Sequence, residues 1–180
     1  MDVVRVSKRL SFVLRHRPDS VGLTLGPAGW VDVDELLAAL ARNGLRLTRA
    51  ELGSVVAGND KRRFAFDDSG TRIRASQGHS VPVALGYDAE PPPDVLFHGT
   101  VQRFLPAILA EGLRPGNRHA VHLSRDVETA TAVGGRRGRP VVLRVDAAGM
   151  AADGYVFTLS ANGVWLTDAV PARYLRVSGD

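Results

Sequence analysis

Hydrophobic residues recur at helical spacing in the first half of the chain and predict three helices. The first has apolar residues three and four positions apart and must end near Arg17, because a proline follows. A second helix is expected to start at Asp34 as its N-cap and to run through Leu40. The third opens on a capping-box pattern at Thr48 and ends near Gly58.

Two short β-forming segments follow the helices. Residues 63–66 and 71–74 flank a polar turn at 67–70, a pattern typical of a β-hairpin. Three helices followed by a hairpin describe a winged helix-turn-helix, which is usually a nucleic-acid reader. The same order of elements also fits plain structural domains.

The second half of the chain is dominated by short β-forming runs. Its predicted strands lie at 95–97, 120–123, 141–145, 155–157, 164–166 and 174–177, and its predicted helices at 101–112 and 127–133. This order indicates an α+β lobe with a mostly antiparallel sheet. No G-x-G-x-x-G turn joins a strand to a helix, so a Rossmann dinucleotide site is not expected.

A proline-rich stretch separates the two halves. Three consecutive prolines within residues 88–94 predict an extended, semi-rigid connection. We therefore expect an α+β protein with an N-terminal winged-helix lobe at 1–87, a linker at 88–94 and a second lobe at 95–180.

Charge and composition limit the classes of function that we expect for this protein. The net charge is +4, and because only Lys8 and Lys61 are lysines, nearly all cations are arginines, whose planar forks suit phosphate oxygens. The absence of cysteine excludes disulfides and thiolate metal sites. The opening residues lack a signal-peptide pattern, and no apolar run approaches the roughly 18 residues of a membrane span. A cytoplasmic protein is expected.

Two motifs in the first half could bind an anion. Leu-Arg-His-Arg at 14–17 gathers Arg15 and His16 in the last turn of the first helix, although the helix dipole alone favours cations there. Ile-Arg-Ala-Ser-Gln-Gly-His-Ser at 73–80 places Arg74 on the outgoing strand of the hairpin. An arginine on such a wing is usually solvated, so both motifs also have a purely structural interpretation.

Three motifs in the second half suggest a pocket. Phe-His-Gly-Thr at 97–100 puts a histidine, a glycine and a hydroxyl at a predicted strand end, which suits close approach by a dinucleotide phosphate or ribose. Val-His-Leu-Ser at 121–124 repeats the theme, although a lone buried histidine is more often a core residue. Three arginines within 136–139 repel one another, so a bound anion would stabilise this loop. The alternative interpretation is an exposed turn that binds nothing.

Metal-dependent chemistry has little support in the sequence. There is no H-E-x-x-H motif, EF-hand loop or P-loop, and no pair of carboxylates shares a predicted strand. No metal site is expected.

Taken together and in order, the motifs resemble the RNA 2′-phosphotransferase (tRNA 2′-phosphotransferase) family over nearly the whole chain. The resemblance rests on the segments 7–11, 14–16, 73–80, 97–100, 121–124, 135–138, 162–166 and 170–171. Within 73–80, Ser76 stands where the family more often has asparagine.

The resemblance implies a fold, a reaction and a catalytic set. It implies an N-terminal winged-helix lobe, a C-terminal ADP-ribosyltransferase-like lobe, and NAD as co-substrate. The family removes an internal RNA 2′-phosphate left at a splice junction by ligation. The phosphate attacks the nicotinamide ribose at C1″ and expels nicotinamide; the ribose 2″-hydroxyl then attacks phosphorus, which releases ADP-ribose 1″,2″-cyclic phosphate. By motif position the catalytic set is Arg15, His16, Arg74 and Arg136.

The resemblance also suggests the NAD contacts. The candidate NAD-binding residues are His98, Gly99, Thr100, Arg114, His122, Leu123, Ser124 and Arg136. The family often has Arg-His-Gly where this chain has Arg136, Arg137 and Gly138, so a shift of one position would exchange the two arginines. The implied partners are NAD and an RNA with an internal 2′-phosphate, and no obligate protein partner is evident.

Two competing functions remain open. An ADP-ribosyltransferase that caps terminal phosphates of RNA or DNA would use the same residues and stop after the first step. A non-enzymatic winged-helix regulator would bind duplexes without consuming NAD. Against the regulator, residues 48–57 contain Arg49 as their only basic residue, which is a poor surface for reading the major groove.

Overall fold

The computed structural model of the protein describes residues 2–179 and divides into two units, Met1–Gly86 and Tyr87–Asp180. Each unit combines helices with antiparallel strands, which confirms the α+β class. The proline-rich segment 88–94 belongs to the second unit. There the Glu90 N–H donates to the Phe157 carbonyl at 2.8 Å, so the segment is bonded to that unit over part of its length.

Within residues 2–86, the N-terminal unit contains three α-helices and one three-stranded sheet. Its elements are α1 (Val3–Arg15), β1 (Val31–Asp32), α2 (Val33–Arg42), α3 (Arg49–Ala57), β2 (Phe64–Phe66) and β3 (Arg72–Ala75), with 3-10 turns at Pro18–Val21 and Pro27–Gly29. The predicted hairpin is confirmed as β2 and β3, and the short β1 pairs with the other side of β3.

Local capping chemistry explains where the N-terminal helices begin and end. The predicted capping box of α3 is confirmed between Thr48 and Glu51. The prediction for α2 was wrong by two residues, because the carboxylate of Asp32 caps the N–H groups of Asp34 and Glu35. Helix α1 stops at Arg15, two residues before the predicted end.

One apolar core holds the N-terminal unit together. Helix α1 contributes Leu10 and Leu14 to it, and β3 contributes Ile73, all three without exposed surface. Burial of a side chain of this size stabilises the fold by about 1.5–3 kcal/mol. These contacts hold α1 against β3, the two elements that carry the two motifs predicted to bind an anion.

The C-terminal unit contains two three-stranded antiparallel sheets, ordered β4-β6-β9 and β5-β8-β7. Its elements are β4 (Val95–Val101), α4 (Leu105–Glu111), β5 (Val121–Leu123), α5 (Val127–Gly134), β6 (Pro140–Asp146), α6 (Ala147–Ala152), β7 (Thr158–Leu159), β8 (Trp165–Thr167) and β9 (Leu175–Val177). Phe97 and Ser124 exchange two backbone hydrogen bonds of 2.8 Å, which join the sheets through β4 and the end of β5.

Three predictions for the C-terminal unit were wrong. Strand β4 continues through Val101, so the predicted helix at 101–112 starts later, as a 3-10 turn (Gln102–Phe104) followed by α4. Helix α6 was missed, because six mostly small residues show no clear amphipathic period. The predicted strand at 155–157 is the chain leaving α6, where the Tyr155 N–H still donates to the Met150 carbonyl.

Across residues 2–179, every helix falls short of the length and hydrophobicity that crossing a membrane requires.

Candidate functional site

Hydrogen bonds join the end of α1 to the segment that follows β3. The Arg15 carbonyl accepts from the Ser80 N–H at 2.9 Å, and Nδ1 of His16 lies 2.9 Å from the Ser80 hydroxyl. Nη2 of Arg15 also donates to the Arg63 carbonyl, at 3.4 Å. The first two sequence motifs, 64 residues apart along the chain, are therefore bonded together within this unit.

Arg74 of β3 is held by carbonyls and by an aromatic ring. Its Nη1 donates to the Leu85 carbonyl at 3.0 Å and to the Ala28 carbonyl at 3.3 Å. Its guanidinium carbon lies 4.6 Å from the centroid of the Trp30 ring, a distance typical of a cation–π contact. Arg74 is half-buried and fixed in orientation, which differs from the solvated wing arginine that the sequence left open.

The second motif also forms part of the framework of this unit. Ser76 is buried, and its hydroxyl donates to the Arg62 carbonyl at 2.9 Å. His79 is buried as well, and it packs against Gly29, whose φ of +79° favours glycine. A β-carbon at Gly29 would lie 3.3 Å from Nε2 of His79. The predicted polar turn is thus largely interior.

We call Arg15, His16 and Arg74 the N-terminal cluster. Arg15 and His16 lie at the C-terminal end of α1 and Arg74 lies on β3, two elements that contact each other in this unit. Guanidinium groups form short, charge-assisted hydrogen bonds with phosphate oxygens, and fixed side chains lose little entropy on binding. The cluster is suited to a phosphate that carries more than one negative charge.

In the C-terminal unit, the Phe-His-Gly-Thr motif lies inside β4. The prediction of a strand end was wrong, because His98 pairs with Leu143 and Gly99 with Val142 in the middle of the ladder. A β-carbon at Gly99 would lie 1.7 Å from the Ala130 carbonyl oxygen. Glycine is therefore required here by the close packing of α5 on β4, a reason internal to the fold.

His98 has a defined tautomer. Its Nδ1 lies 3.0 Å from the His122 carbonyl oxygen, and because a carbonyl only accepts, Nδ1 must bear the proton. In the neutral ring Nε2 is then an acceptor. Burial lowers the pKa of His98, and the positive charges of Arg137 and Arg118 lower it further, so the neutral ring dominates at pH 7.

Arg118 is a functional candidate that the sequence analysis missed. Its Nη1 lies 2.9 Å from Nδ1 of His122, and because arginine only donates, Nδ1 of His122 is the acceptor. Burial lowers the pKa of Arg118, as do the positive charges of Arg137 and Arg136. The only feature of the sequence that could have indicated a role for Arg118 is its position four residues before His122, and this indication is weak.

The three arginines Arg118, Arg136 and Arg137 form what we call the C-terminal cluster. Arg136 and Arg137 lie on a 3-10 turn, Gly135–Arg137, that directly follows α5, and both are exposed. Like charges this close raise the free energy of the unliganded protein, and an anion would relieve that repulsion. The arrangement favours a ligand with phosphate groups.

The other predicted NAD-binding residues differ in their exposure and in how many of their polar groups are already hydrogen-bonded. Thr100 and Leu123 are buried, at 8% and 1% exposure. Both backbone groups of Ser124 are used in the bridge to Phe97. Arg114 is exposed beyond α4, and within residues 2–179 no hydrogen bond or ion pair that the structure describes joins it to the C-terminal cluster.

Within the described part of the chain, three or more histidine or carboxylate side chains nowhere come together as potential metal ligands.

Comparison with known proteins agrees with the order of the motifs. A family model described as RNA 2'-phosphotransferase, Tpt1 / KptA family, matches residues 1–169. The chain belongs to this family. The resemblance seen in the motifs is thereby confirmed.

Curated relatives from this family match almost end to end. A probable RNA 2'-phosphotransferase of Streptomyces coelicolor is 64% identical over 173 residues, covering 96% of this chain and 94% of the relative. One from Agrobacterium fabrum is 59% identical over 174 residues, covering 97% and 94%. Another, from Burkholderia lata, is 56% identical over 176 residues, covering 97% and 91%.

Proposed function

We propose that this protein removes an internal 2′-phosphate from RNA and uses NAD as the co-substrate that accepts the phosphate. Family membership supports the removal of an RNA 2′-phosphate. The observation that carries the proposal further is the bonding of Arg15 and His16 to Ser80, which unites the two cationic motifs of the N-terminal unit. We therefore assign both motifs to the binding of a single phosphate group.

The two units take the roles of an RNA-binding winged-helix lobe and an ADP-ribosyltransferase-like lobe. The order of three helices and a hairpin supports the first assignment. Two short antiparallel sheets and the cationic turn after α5 are compatible with the second. The boundaries follow the two units, with residues 88–94 counted in the second.

The RNA 2′-phosphate needs orientation more than it needs a base. A phosphomonoester has a second pKa of about 6, so at pH 7 it is already mostly a dianion and a competent nucleophile. In the N-terminal cluster, Arg15 and Arg74 bind its oxygens through charge-assisted hydrogen bonds. Their carbonyl bonds to Arg63, Ala28 and Leu85 fix the guanidinium planes before the RNA arrives.

His16 completes the phosphate site. As the C-cap of α1 it lies where the helix dipole favours a positive charge, and its ring is oriented by the Ser80 hydroxyl. A histidine side chain can bind a phosphate or hold a proton near neutral pH.

We expect the C-terminal unit to bind NAD through its positive charges and through one hydrogen-bond acceptor, Nε2 of His98. The pyrophosphate of NAD matches the C-terminal cluster, whose three arginines repel one another when no anion is present. The unprotonated Nε2 of neutral His98 can accept a hydrogen bond from a ribose hydroxyl. NAD itself supplies an electrophilic ribose carbon and a leaving nicotinamide.

Arg136 is assigned to the second half of the reaction, when charge develops on the phosphorus oxygens. Arginine forks stabilise such charge in phosphoryl transfer. Arg137 lies beside it on the same turn, so variants of both residues decide which one acts.

The test uses an RNA with one radiolabelled internal 2′-phosphate, incubated with and without NAD. We expect the label to move to a cyclic ADP-ribose phosphate only when NAD is present. Label retained on an RNA–ADP-ribose adduct would support the capping reaction instead. Label untouched, with NAD intact and the protein folded, would contradict both.

A further inference from the structure

A basic turn lies beside the N-terminal cluster, and its side chains have no role in the reaction described above. It consists of the consecutive residues Lys61, Arg62 and Arg63, between α3 and β2. Lys61 and Arg62 are exposed, and within residues 2–179 neither Arg62 nor Arg63 forms a salt bridge. Asp60 is the only acidic residue from 58 to 64.

The backbone of the basic turn is firmly anchored. The Arg62 N–H donates to the Asn59 carbonyl at 2.8 Å, and the Arg62 carbonyl accepts from the Ser76 hydroxyl at 2.9 Å. Asn59 is itself buried, and its Nδ2 donates to the Ser7 hydroxyl of α1 at 3.1 Å. Arg62 has a φ of +40°, an uncommon conformation for a residue other than glycine. The fold holds this turn in one place despite that cost.

One carbonyl connects the basic turn directly to the N-terminal cluster. The Arg63 carbonyl accepts from Nη2 of Arg15 at 3.4 Å and from the Ser76 N–H at 2.9 Å. The turn is therefore one hydrogen bond away from an arginine assigned to the 2′-phosphate. A nucleotide with an internal 2′-phosphate continues as a polyanion on both sides, so its neighbouring phosphodiesters lie within a few ångströms of that phosphate.

We propose that Lys61, Arg62 and Arg63 bind the phosphodiester backbone of the RNA next to the nucleotide that carries the 2′-phosphate. This inference rests on the proposed function and extends it from one phosphate to a longer stretch of single strand. Contacts to phosphates position a nucleic acid without reading its sequence. The turn thus selects a 2′-phosphate inside an RNA chain over the same group on a mononucleotide.

The experiment measures RNA binding without NAD, by fluorescence anisotropy over a range of salt concentrations. The probes are a single-stranded dodecamer with one internal 2′-phosphate and a nucleoside 2′-monophosphate with the same fluorophore, which has no phosphodiester. The variant is Arg62→Gln combined with Arg63→Gln, which removes two charges and keeps the backbone bonds of the turn. The control is Arg42→Gln with Arg46→Gln, two exposed arginines of the same unit at the end of α2 and in the loop beyond it.

We expect the Arg62/Arg63 variant to bind the dodecamer about tenfold more weakly, and its salt slope to fall by about 0.7 for each lost contact. Binding of the nucleoside 2′-monophosphate should change less than about twofold, and the control should match the wild type. Unchanged dodecamer binding would overturn the proposal. Equal weakening on both probes would also overturn it, because the turn would then act only through Arg15.

Three further measurements keep the outcome clear. Thermal melting verifies that the variant is folded, and Lys61→Gln alone, which leaves Arg62 in its unusual conformation, should lower the salt slope by about 0.7. A dodecamer without the 2′-phosphate tests the proposed function separately. If the wild type binds both dodecamers equally and never transfers the phosphate, the proposed function fails, whereas the inference about the turn is judged from the Arg62/Arg63 variant.

Discussion

The N-terminal and C-terminal clusters are both rich in arginine, but the protein holds them in different ways. Arg15 and Arg74 donate to backbone carbonyls, and Arg74 also lies against Trp30. Arg136 and Arg137 are exposed on a short turn after α5, and their charges act on Arg118. The guanidinium groups of the first cluster are oriented by the fold, whereas the positive charges of the second repel one another, so a bound anion would stabilise it.

Under the proposed function, the two clusters would bind phosphate groups in two different ways. A preordered site distinguishes ligands by geometry, because little can adjust when the wrong anion arrives. A site of mutually repelling charges responds mainly to the number of charges on the ligand. We therefore expect shape-selective recognition of the RNA 2′-phosphate and charge-dependent recognition of NAD.

The largest effects are expected from removing one arginine of each cluster. Arg74→Ala should lower the rate of 2′-phosphate transfer about 30- to 1000-fold, since a charge-assisted contact in such a site contributes about 2–4 kcal/mol. Arg136→Ala should slow the second step more than the first. Rapid-quench assays with labelled RNA would then show an RNA–ADP-ribose adduct accumulating in Arg136→Ala and not in Arg74→Ala. Equal slowing of both steps by Arg136→Ala would contradict this division of roles.

The next effect concerns the packing beneath the C-terminal cluster. Gly99→Ala places a β-carbon on the Ala130 carbonyl oxygen, so α5 and the turn that follows it must shift. We expect the free energy of unfolding in urea to fall by about 1–3 kcal/mol. Gly53→Ala is the control, because nothing lies within 4 Å of a β-carbon there and alanine favours the helix. A Gly99→Ala protein as stable as the wild type would show that the close contact relaxes without cost.

A smaller effect tests whether the N-terminal cluster is ordered in advance. Trp30→Leu removes the ring next to the Arg74 guanidinium, and we expect about 2- to 30-fold weaker binding of the 2′-phosphorylated RNA. Trp30→Phe should restore most of the loss. The matched control is Phe12→Leu, which removes the ring beside Arg9 in the same unit. If Trp30→Leu changes kcat without changing RNA affinity, the ring has a role other than orienting Arg74.

The smallest effect is on the pH dependence of stability. Because the folded state lowers the pKa of His98, the unfolded chain binds more protons just below pH 6.5. Stability contributed by neutral His98 is therefore complete above pH 6.5 and is lost as the pH falls from there toward the lowered pKa. Urea unfolding at pH 7.5 and 5.0 should show a smaller loss of stability at low pH in His98→Asn than in the wild type. An equal loss in both would place the pH dependence on other groups.

The helices of the N-terminal unit could be predicted well because their signals are local. A capping box at Thr48 and the proline after Arg17 act within a few residues, and the structure follows them closely. The N-cap of α2 was predicted two residues too late, because Asp32 and not Asp34 accepts from the N–H groups that open the helix. The C-terminal unit was harder, since its strands are short and their ends depend on partners far along the chain.

The same contrast between local signals and long-range contacts applies to the candidate site. The order of the motifs was sufficient to identify the family, and the sequence alone also predicted the α+β class and the hairpin that carries Arg74. Only the tertiary structure decided that Arg118 joins the C-terminal cluster, that Gly99 is required by α5, and which nitrogen of His98 bears its proton. Each of these three features depends on a residue that folding brings near from elsewhere in the chain. Hydrophobic periodicity and helix capping contain no information about such long-range contacts.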